Sequence, residues 1–386
     1  MNIINFYCFF FPFIFGIFYI ITLVYTSLKN KNQSDFSEGV TILIPCYNEG
    51  KNIYKQLNNL VNMNYDKFEV ICVNDCSKDN TYEILKSFED KYNNIRVINN
   101  KTNMGKSRSL NHASELAKYD YLVILDGDCV ITANSLKILM SNFNDDKVGI
   151  VTGNPKIVNT KKLLCKLQAL EYSCIISAVK KFQQIIVESC STASGCYFAI
   201  RKDLFNKIGK FSTTHITEDI ELSYKVNKSG YKVIFEERAI CNIKAIESLK
   251  GLIKQRTRWS QGGLEVLYTY LDCLFKSKMW LFIVEQILSL IWVISMLIVI
   301  VNGIINYNCS FSFAFIILLI VSNILIIAAT YIDNKYKKSI LRNLIYLEII
   351  PVVYWVVSFL SGILAIPKAI KSIIKGGDSR WDTLER

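Results

Sequence analysis

Two aspartates one residue apart, Asp126 and Asp128, directly follow the apolar run Tyr121–Leu125. Such a run of bulky apolar residues predicts a buried strand. Ligands of open α/β sheets bind beyond the carboxyl ends of the strands, so both carboxylates are expected at the mouth of a site. Gly127 between them permits a tight turn. Carboxylate oxygens suit Mg²⁺ or Mn²⁺, which predicts a divalent-cation site; an ordinary acidic turn is the alternative.

A second pair of acids, Glu218 and Asp219, follows Thr217 at the start of a helix predicted over residues 220–228. Acids in a first helical turn are favoured by the helix dipole, so capping alone is one explanation. Two adjacent acids exceed what capping requires. A carboxylate at this position could serve as a general base.

A third motif, Gln-Arg-Thr-Arg-Trp at residues 255–259, lies just before a long apolar region. Arg258 offers a planar fork for phosphate oxygens, and Trp259 offers a flat apolar face for a sugar ring. An anchor at the membrane interface would explain either residue alone. It would not explain Gln255.

Small residues fill the stretch 191–196, which includes Ser194 and Gly195 and precedes a strand predicted over residues 197–200. Small residues permit close backbone approach by a bulky ligand. A simple hairpin turn is the alternative.

The elements that must position these residues alternate between strand and helix. Strands are predicted at 40–49, 68–75, 95–98 and 121–125, with helices at 51–63, 82–92 and 106–117 between them. This alternation predicts an α/β domain with a mostly parallel sheet. Polar residues end three of the strands: Asn48 and Glu49, Asn74 and Asp75, and Asp126 and Asp128. Parallel strands place those ends on one edge, which makes a site there more plausible than three unrelated turns.

Beyond the fourth strand the sequence predicts a strand at 148–155 and a long amphipathic helix at 161–182. Four apolar runs, at 5–24, 280–301, 311–331 and 344–366, are each long enough to cross a bilayer. The first lacks a basic segment and a small-residue cleavage site, which favours an anchor over a signal peptide. The predicted organisation is an N-terminal membrane helix at 1–27, a catalytic-type domain at 28–279, membrane helices at 280–367 and a basic tail at 368–386.

Basic residues flank these runs: Lys29 and Lys31 after the first, and Lys335, Lys337, Lys338 and Arg342 between the third and fourth. Excess Lys and Arg mark the cytoplasmic side, which predicts a multi-pass protein of the plasma membrane with a cytoplasmic domain. Four crossings would place the C-terminus outside, whereas the basic tail favours the inside. Pro351 could make the last run interfacial or re-entrant.

Composition narrows the function further. The formal charge of +12 comes without a basic stripe and interleaved aromatics in the domain, so membrane lipid and an anionic substrate are expected rather than nucleic acid. The 12 cysteines have no paired metal spacing and are expected to be reduced thiols acting as small apolar residues. Only 2 histidines are present, which counts against a His-built zinc site or triad.

In this order, the motifs at 45–49, 73–75, 126–128, 217–219 and 255–259 resemble those of the membrane-embedded family 2 glycosyltransferases. These are the synthases of cellulose, chitin, hyaluronan and poly-N-acetylglucosamine. The last motif is similar to the Gln-x-x-Arg-Trp signature of the processive members. Residues 151–155, 194–209, 215–223 and 380–386 resemble the subfamily that makes poly-β-1,6-N-acetylglucosamine. The chain departs from the family at Cys76, where glycine is usual, and in its single N-terminal span, where several relatives have two.

The resemblance implies a nucleotide-sugar-binding GT-A domain with transmembrane α-helices. It implies a role for each matching residue. The residues that bind the nucleotide sugar would be Asn48, Asp75 at the uracil, Asp126 beside the ribose and sugar, and Lys106 at a phosphate. Asp128 with Asp126 would hold Mg²⁺ or Mn²⁺, and Asp219 would be the general base, with Glu218 beside it. The diphosphate and acceptor region would be lined by Gln255, Arg258, Trp259, Ser194 and Gly195.

The implied activity is inverting polymerisation of N-acetylglucosamine from UDP-N-acetylglucosamine, with export of the growing polysaccharide. A hyaluronan, chitin or cellulose type of synthase, or a transferase of one sugar to a lipid, is the alternative. A catalytically silent scaffold is disfavoured by the intact acids and Arg258. A small membrane accessory subunit is a further expected partner. Glu285, Gln286 and Glu348 are expected to face a channel, with a position near the interface as the alternative for Glu285.

Overall fold

A computed structural model describes residues 3–28, 35–275, 278–305, 313–336 and 340–377. Four of the lysines used in the topology prediction lie outside these ranges: Lys29, Lys31, Lys337 and Lys338. The motif at 380–386, which contributed to the family resemblance, also lies outside them.

An eight-stranded sheet forms the centre of the domain. Its strands are β1 (Val40–Cys46), β2 (Phe68–Asn74), β3 (Ile95–Asn99), β4 (Tyr121–Leu125), β5 (Val130–Ile131), β6 (Val148–Ile157), β7 (Tyr197–Arg201) and β8 (Lys232–Ile243). The spatial order is β3-β2-β1-β4-β7-β6-β8-β5. Of the seven pairings, β1–β2, β2–β3, β1–β4 and β6–β8 are parallel.

The predicted α/β fold is confirmed, with a sheet that is mixed. Strand β7 lies between β4 and β6 and is antiparallel to both, and β5 is antiparallel to β8. Buried strands have the same apolar pattern in either orientation, so the local sequence does not distinguish them. The stretch before β7 is therefore not a hairpin turn, because β7 follows a helix and pairs with two strands distant in sequence.

Thirteen α-helices accompany the sheet in the described residues. They are α1 (Ile3–Ser27), α2 (Ile53–Val61), α3 (Thr81–Glu89), α4 (Lys106–Glu115), α5 (Ser135–Met140), α6 (Leu163–Glu171), α7 (Ser177–Ile186), α8 (Lys202–Lys207), α9 (Glu218–Lys228), α10 (Leu249–Tyr270), α11 (Trp280–Ile305), α12 (Phe313–Asp333) and α13 (Ile349–Lys375). The single helix predicted over 161–182 is α6 and α7 joined by a π-helical turn at Tyr172–Ile176.

The sheet is buried on both faces. In β1, Ile42 and Ile44 belong to the core on one face, and Leu43 between them belongs to the core on the other. This follows from the two-residue repeat of a strand. Each fully buried Leu or Ile contributes roughly 1.5–3 kcal/mol of transfer free energy, which holds the strand ends in a fixed arrangement.

Four helices are long and apolar enough to cross a membrane: Ile3–Ser27, Trp280–Ile305, Ile316–Asp333 and Ile349–Lys375. Pro351 does not break the last one. It lies in the first turn of α13, where the N–H that proline lacks has no intrahelical partner. A 3₁₀-helix at Ile340–Tyr346 precedes α13, and α13 continues through Pro367 to Lys375, so the boundary predicted at residue 367 falls within a helix.

Helix α13 lies against the domain along its length. Val357 packs with Ile246 and Leu252 of the domain. Beyond the end of the helix, a Cβ atom on Gly377 would come within 2.0 Å of the carbonyl oxygen of Thr214. The hydropathy of α13 is that of a membrane span. Its contacts, however, are with the domain as well as with the other apolar helices.

A buried ion pair joins the sheet to α12. The Nζ atom of Lys156 in β6 lies 2.6 Å from both carboxylate oxygens of Asp333, and Ser173 donates a further hydrogen bond to Asp333. Breaking a buried pair on one side costs roughly 3–5 kcal/mol. The end of α12 is therefore fixed relative to β6.

Candidate active site

The predicted convergence of strand ends is present. The residue after β2, Asp75, donates its backbone N–H to the carbonyl oxygen of Cys46 at the end of β1, at 2.8 Å. Beyond β4, a Cβ atom on Gly127 would come within 2.9 Å of Glu49 Cγ, so only glycine fits without displacing Glu49. The polar ends of β1, β2 and β4 therefore meet at one edge of the sheet.

Asp75 is fully buried there. Its Oδ1 atom accepts from the side chain of Asn100 and from the N–H of Met104, and its Oδ2 atom accepts from the N–H of Gly105, all at 2.8 Å. Gly105 has a φ of 85°, which glycine adopts without strain. Asp75 thus shapes the loop that leads into α4, and its contact with a base stays a prediction.

Asn48 and Cys76 shape the neighbouring loops. Asn48 has a left-handed φ of 58°, accepts from the N–H of Lys78 at 2.8 Å and donates its own N–H to Ser77 Oγ at 3.0 Å. Cys76 has a φ of 62°. Glycine adopts such an angle freely, which gives a physical reason for the family's usual glycine at this position.

Lys106, the first residue of α4, connects three parts of the site. Its Nζ atom lies 2.7 Å from Asp126 Oδ1 and 3.1 Å from Glu218 Oε1, and donates to the carbonyl oxygen of Gly195 at 3.2 Å. Burial alone would lower the pKa of Lys106, but the charges of Asp126 and Glu218 outweigh it and raise the pKa. The sequence suggested only a phosphate contact for this lysine, whereas the structure makes it the centre of a charge network.

Glu218 and Asp219 belong to that network and do not serve as mere capping acids. Asp219 Oδ2 accepts from the N–H of Gly195 at 2.9 Å. Burial and the neighbouring charge of Glu218 raise the pKa of Asp219 to about 6. Burial opposes ionisation of Glu218 as well, but the charges of Lys106 and Arg258 lower its pKa. The two adjacent acids therefore differ, since the pKa of Glu218 is lowered and that of Asp219 is raised to about 6.

The small-residue stretch lies against Asp219. A Cβ atom on Gly195 would come within 2.5 Å of Asp219 Oδ2, so glycine is required for this approach. Ser194 accepts a hydrogen bond from Lys180 Nζ at 2.7 Å. Lys180 is buried, and burial lowers its pKa. Sequence analysis missed this lysine, because it lies in an amphipathic helix with no motif around it.

The predicted cation site has suitable donors. Oxygen atoms of Asp126 and Asp128 and the sulfur of Cys129 lie within 4.8 Å of one another. Two carboxylates on a tight turn fit the preference of Mg²⁺ and Mn²⁺ for oxygen ligands. The residues present thus fit a divalent cation bound together with a diphosphate.

Helix α10 carries the motif at 255–259 and packs directly on the turn before α9. A Cβ atom on Gly262 would come within 2.0 Å of Thr217 Oγ1. Nε of Arg258 is buried and has no hydrogen-bond partner within the described residues. This unsatisfied donor, next to Glu218 and Asp219, is suited to an incoming anion.

Gln255 and Trp259 are organised by Arg256, which sequence analysis did not single out. The Arg256 guanidinium lies 4.0 Å from the centre of the Trp259 ring and donates to Gln255 Oε1 at 2.8 Å. It also binds both carboxylate oxygens of Glu171, at 3.1 and 2.8 Å. Gln255 is buried and accepts the hydrogen bond from Arg256, and its role in the acceptor region stays a prediction.

A cavity of about 400 Å³ lies among the apolar helices. Its lining comes from α1, α7, α11, α12 and α13 and includes Glu285 and Gln286. Oε1 of each is buried without a hydrogen-bond partner in the described ranges. The expectation that Glu348 faces the same space is wrong: it is exposed and accepts from Asn323 Nδ2 at 2.9 Å, because it lies before the first turn of α13.

Comparisons with known proteins identify the family of the chain. The family model described as glycosyl transferase family 2 matches residues 41–209. A poly-beta-1,6-N-acetyl-D-glucosamine synthase of Staphylococcus epidermidis is 34% identical over 411 aligned residues, covering 100% of this chain and 99% of that protein. The synthase of the same name from Staphylococcus aureus strain COL is 33% identical over the same coverage.

Among solved structures, the mannosyltransferase PcManGT from Pyrobaculum calidifontis, in complex with GDP-Man and Mn²⁺, has a similar fold. Its TM-score is 0.67 at 17% identity, over 93% of this chain and 95% of that chain. At this identity the likeness concerns the fold alone. Together with the full-length relatives and the motif order, these comparisons establish that the chain belongs to glycosyltransferase family 2.

Proposed function

We propose that the protein is an inverting glycosyltransferase that adds N-acetylglucosamine from UDP-N-acetylglucosamine to a growing β-1,6-linked polymer. The observation that carries this is the buried network of Lys106, Asp126, Glu218 and Asp219, in which one acid has a pKa of about 6. The sugar and linkage rest on the full-length similarity to the named synthases.

Asp219 is the base in this mechanism. A general base works best when its pKa is near the working pH, and a value of about 6 meets that condition. The N–H of Gly195 holds the Oδ2 atom, which orients the carboxylate toward the acceptor hydroxyl. The hydroxyl then gives its proton to Asp219 as its oxygen attacks the anomeric carbon, and the bond from that carbon to the UDP oxygen breaks.

Arg258 acts on the leaving diphosphate, whereas a phosphate contact of Lys106 stays a prediction because its ammonium already contacts Asp126, Glu218 and Gly195. Charge that develops on phosphate oxygens is stabilised most by donors already in position within a buried site. The unsatisfied Nε of Arg258 is such a donor. A divalent cation held by Asp126 and Asp128 would neutralise part of the same charge; whether it is Mg²⁺ or Mn²⁺ stays open.

Trp259 supports the acceptor sugar. Arg256 stacks on its ring and holds the indole in place, and the side chain is only partly buried, which suits stacking against a pyranose. Ser194, whose hydroxyl is held by Lys180, is a second candidate for a contact with the acceptor. Asn48 and Asp75 shape the loops that would surround the uridine. We expect Asp75 to contact the uracil.

The polymer leaves through the cavity among the apolar helices. Hydroxyl groups of a polysaccharide need acceptors in a membrane, and Glu285 and Gln286 each offer an unsatisfied oxygen there. This cavity favours an exporting polymerase over a transferase of a single sugar to a lipid. The synthases of hyaluronan, chitin and cellulose remain the alternative, and the small accessory subunit stays a prediction.

The catalytic chemistry is tested with two neutralised acids. Asp128→Asn should abolish transfer and weaken the Mn²⁺ dependence of UDP binding, because the variant loses a charged cation ligand. Asp219→Asn should cut turnover by about a hundredfold or more, the usual scale for a general base, with little change in UDP affinity. Full activity of either variant, or an equal loss of UDP affinity in Asp219→Asn, would contradict the assigned roles.

Product and direction are tested in inverted membrane vesicles given labelled UDP-N-acetylglucosamine outside. Polymer should accumulate inside, protected from an added glycan hydrolase, and linkage analysis should find β-1,6 bonds. A panel of other UDP-sugars serves as the control for donor choice. Product that stays digestible outside, or a single sugar on a lipid, would refute the exporting-synthase proposal.

A further inference from the structure

Three cysteine thiols from separate parts of the chain meet beside the carboxylates of the cation site. Cys129 follows β4, Cys196 precedes β7 and Cys241 lies in β8, and their Sγ atoms all lie within 4.8 Å of one another. Cys129 and Cys241 are fully buried, and Cys196 is partly exposed. The scattered cysteine positions did not predict this three-thiol cluster, because the fold and not the spacing brings them together.

The dimensions of the three-thiol cluster suit a soft metal ion. Tetrahedral zinc with Zn–S bonds of about 2.3 Å holds its sulfur ligands about 3.8 Å apart, so small side-chain rotations would complete the site. A fourth ligand is close, since Cys129 Sγ lies 3.7 Å from Asp128 Oδ1. Within the described residues, no other cysteines form a group of three or more metal ligands.

We propose that the three-thiol cluster binds a thiophilic divalent cation of the Zn²⁺ class. Thiolates select soft ions, whereas the carboxylates of Asp126 and Asp128 suit Mg²⁺ and Mn²⁺, so the two sites differ in preference. Asp128 is a possible ligand of both sites. A thiophilic ion that takes Asp128 as its fourth ligand removes that carboxylate from the neighbouring oxygen site.

Cadmium is the probe for this site, because cadmium bound to thiolates has an ultraviolet charge-transfer band and magnesium has none. The full chain in detergent is titrated with Cd²⁺ in the presence of a non-thiol reductant and excess Mg²⁺. The band should saturate at a single equivalent. Excess Mg²⁺ should not displace it, since Mg²⁺ binds thiolates poorly.

Cys241→Ala should lower the Cd²⁺ affinity at least about tenfold and reduce the band, since one of three sulfur ligands is lost. Cys72→Ala is the matched control. Cys72 is also fully buried in a strand, β2, and belongs to no ligand group in the described residues. Its Cd²⁺ affinity and band should equal those of the wild type.

Cys196→Ala is a second test if Cys241→Ala fails to fold, because Cys196 is only partly buried. It should cause the same loss of affinity. The proposal is overturned if the wild type has no band, if both cluster variants keep the full band, or if Cys72→Ala reduces it as much as they do.

Discussion

Asp219 and Glu218 are neighbours in sequence with opposite pKa shifts. Lys106 lies 3.1 Å from Glu218 Oε1, and its charge together with that of Arg258 lowers the pKa of Glu218. Burial and the negative charge of Glu218 then raise the pKa of Asp219. A pair of like-charged groups with separated pKa values is typical of sites that need one permanent charge and one proton acceptor.

Turnover should therefore fall as the pH is lowered through about 6, where Asp219 becomes protonated and can no longer accept a proton. Glu218→Gln removes the charge that raises the pKa of Asp219, so the acid limb of the pH–turnover profile should move to lower pH. Glu115→Gln, a change at an exposed acid of α4 paired with Lys210, is the control and should leave the limb in place. An unchanged limb in Glu218→Gln would exclude the coupling.

Sequence patterns identified most of the acids but not their partners. Asp126, Asp128, Glu218 and Asp219 were assigned from motif and position alone. Lys180 and Arg256 were missed, because the burial of Lys180 beside Ser194 and the ion pair of Arg256 with Glu171 depend on tertiary contacts that no local motif reveals. The role of Lys106 was underestimated for the same reason.

At the level of elements, α10 contains two adjacent glycines, and only one of them lies in a tight contact. A Cβ atom on Gly262 would approach Thr217 Oγ1 to 2.0 Å, whereas one on Gly263 would meet Gln286 Nε2 at an ordinary 3.6 Å. The contact at Gly262 sets the distance between the helix that carries Arg258 and Trp259 and the turn that carries Glu218 and Asp219.

Gly262→Ala should push α10 away from α9, at a cost of roughly 1–3 kcal/mol, and lower turnover by about a hundredfold. Gly263→Ala is the matched control and should raise the unfolding temperature slightly, because alanine favours a helix over glycine by roughly 0.5–1 kcal/mol. The prediction is checked by measuring the turnover and the unfolding temperature of both variants. Equal behaviour would mean that the Gly262 contact does not position the helix.

Local periodicity predicted the strands β1–β4 and the helices between them, since each has its own repeat. It did not predict the two-residue strand β5 or the antiparallel insertion of β7. Those pairings depend on contacts between residues far apart in sequence. A π-helical turn also has no clear sequence pattern, so α6 and α7 were expected as one regular helix.

At the scale of the whole molecule, we propose that α13 lies at the membrane interface and does not cross the membrane. It packs on the domain at Val357, and the chain after it meets Thr214 at Gly377. With α1, α11 and α12 as the crossings, a cytoplasmic domain and a cytoplasmic C-terminus agree. The basic residues Lys368, Lys371 and Lys375 favour the same side.

A protease-cleavable tag placed after residue 386 should therefore be digested in inverted vesicles and protected in intact cells. A tag before residue 1 should show the opposite pattern, since α1 crosses the membrane. A C-terminal tag that is accessible from outside intact cells would support four crossings and contradict the proposed interfacial position of α13.

The π-helical turn at Tyr172–Ile176 amounts to a one-residue insertion into an α-helix. Each residue of an α-helix turns the chain by about 100°, so the insertion sets the rotational phase of all of α7. In this phase Lys180 reaches Ser194, and Gln183 donates to Glu285 in the cavity. The proposed acceptor region and the proposed exit path are therefore kept in alignment by a single extra residue. Without the extra residue, α7 would be rotated about its axis, and both contacts would have to form from a different face of the helix.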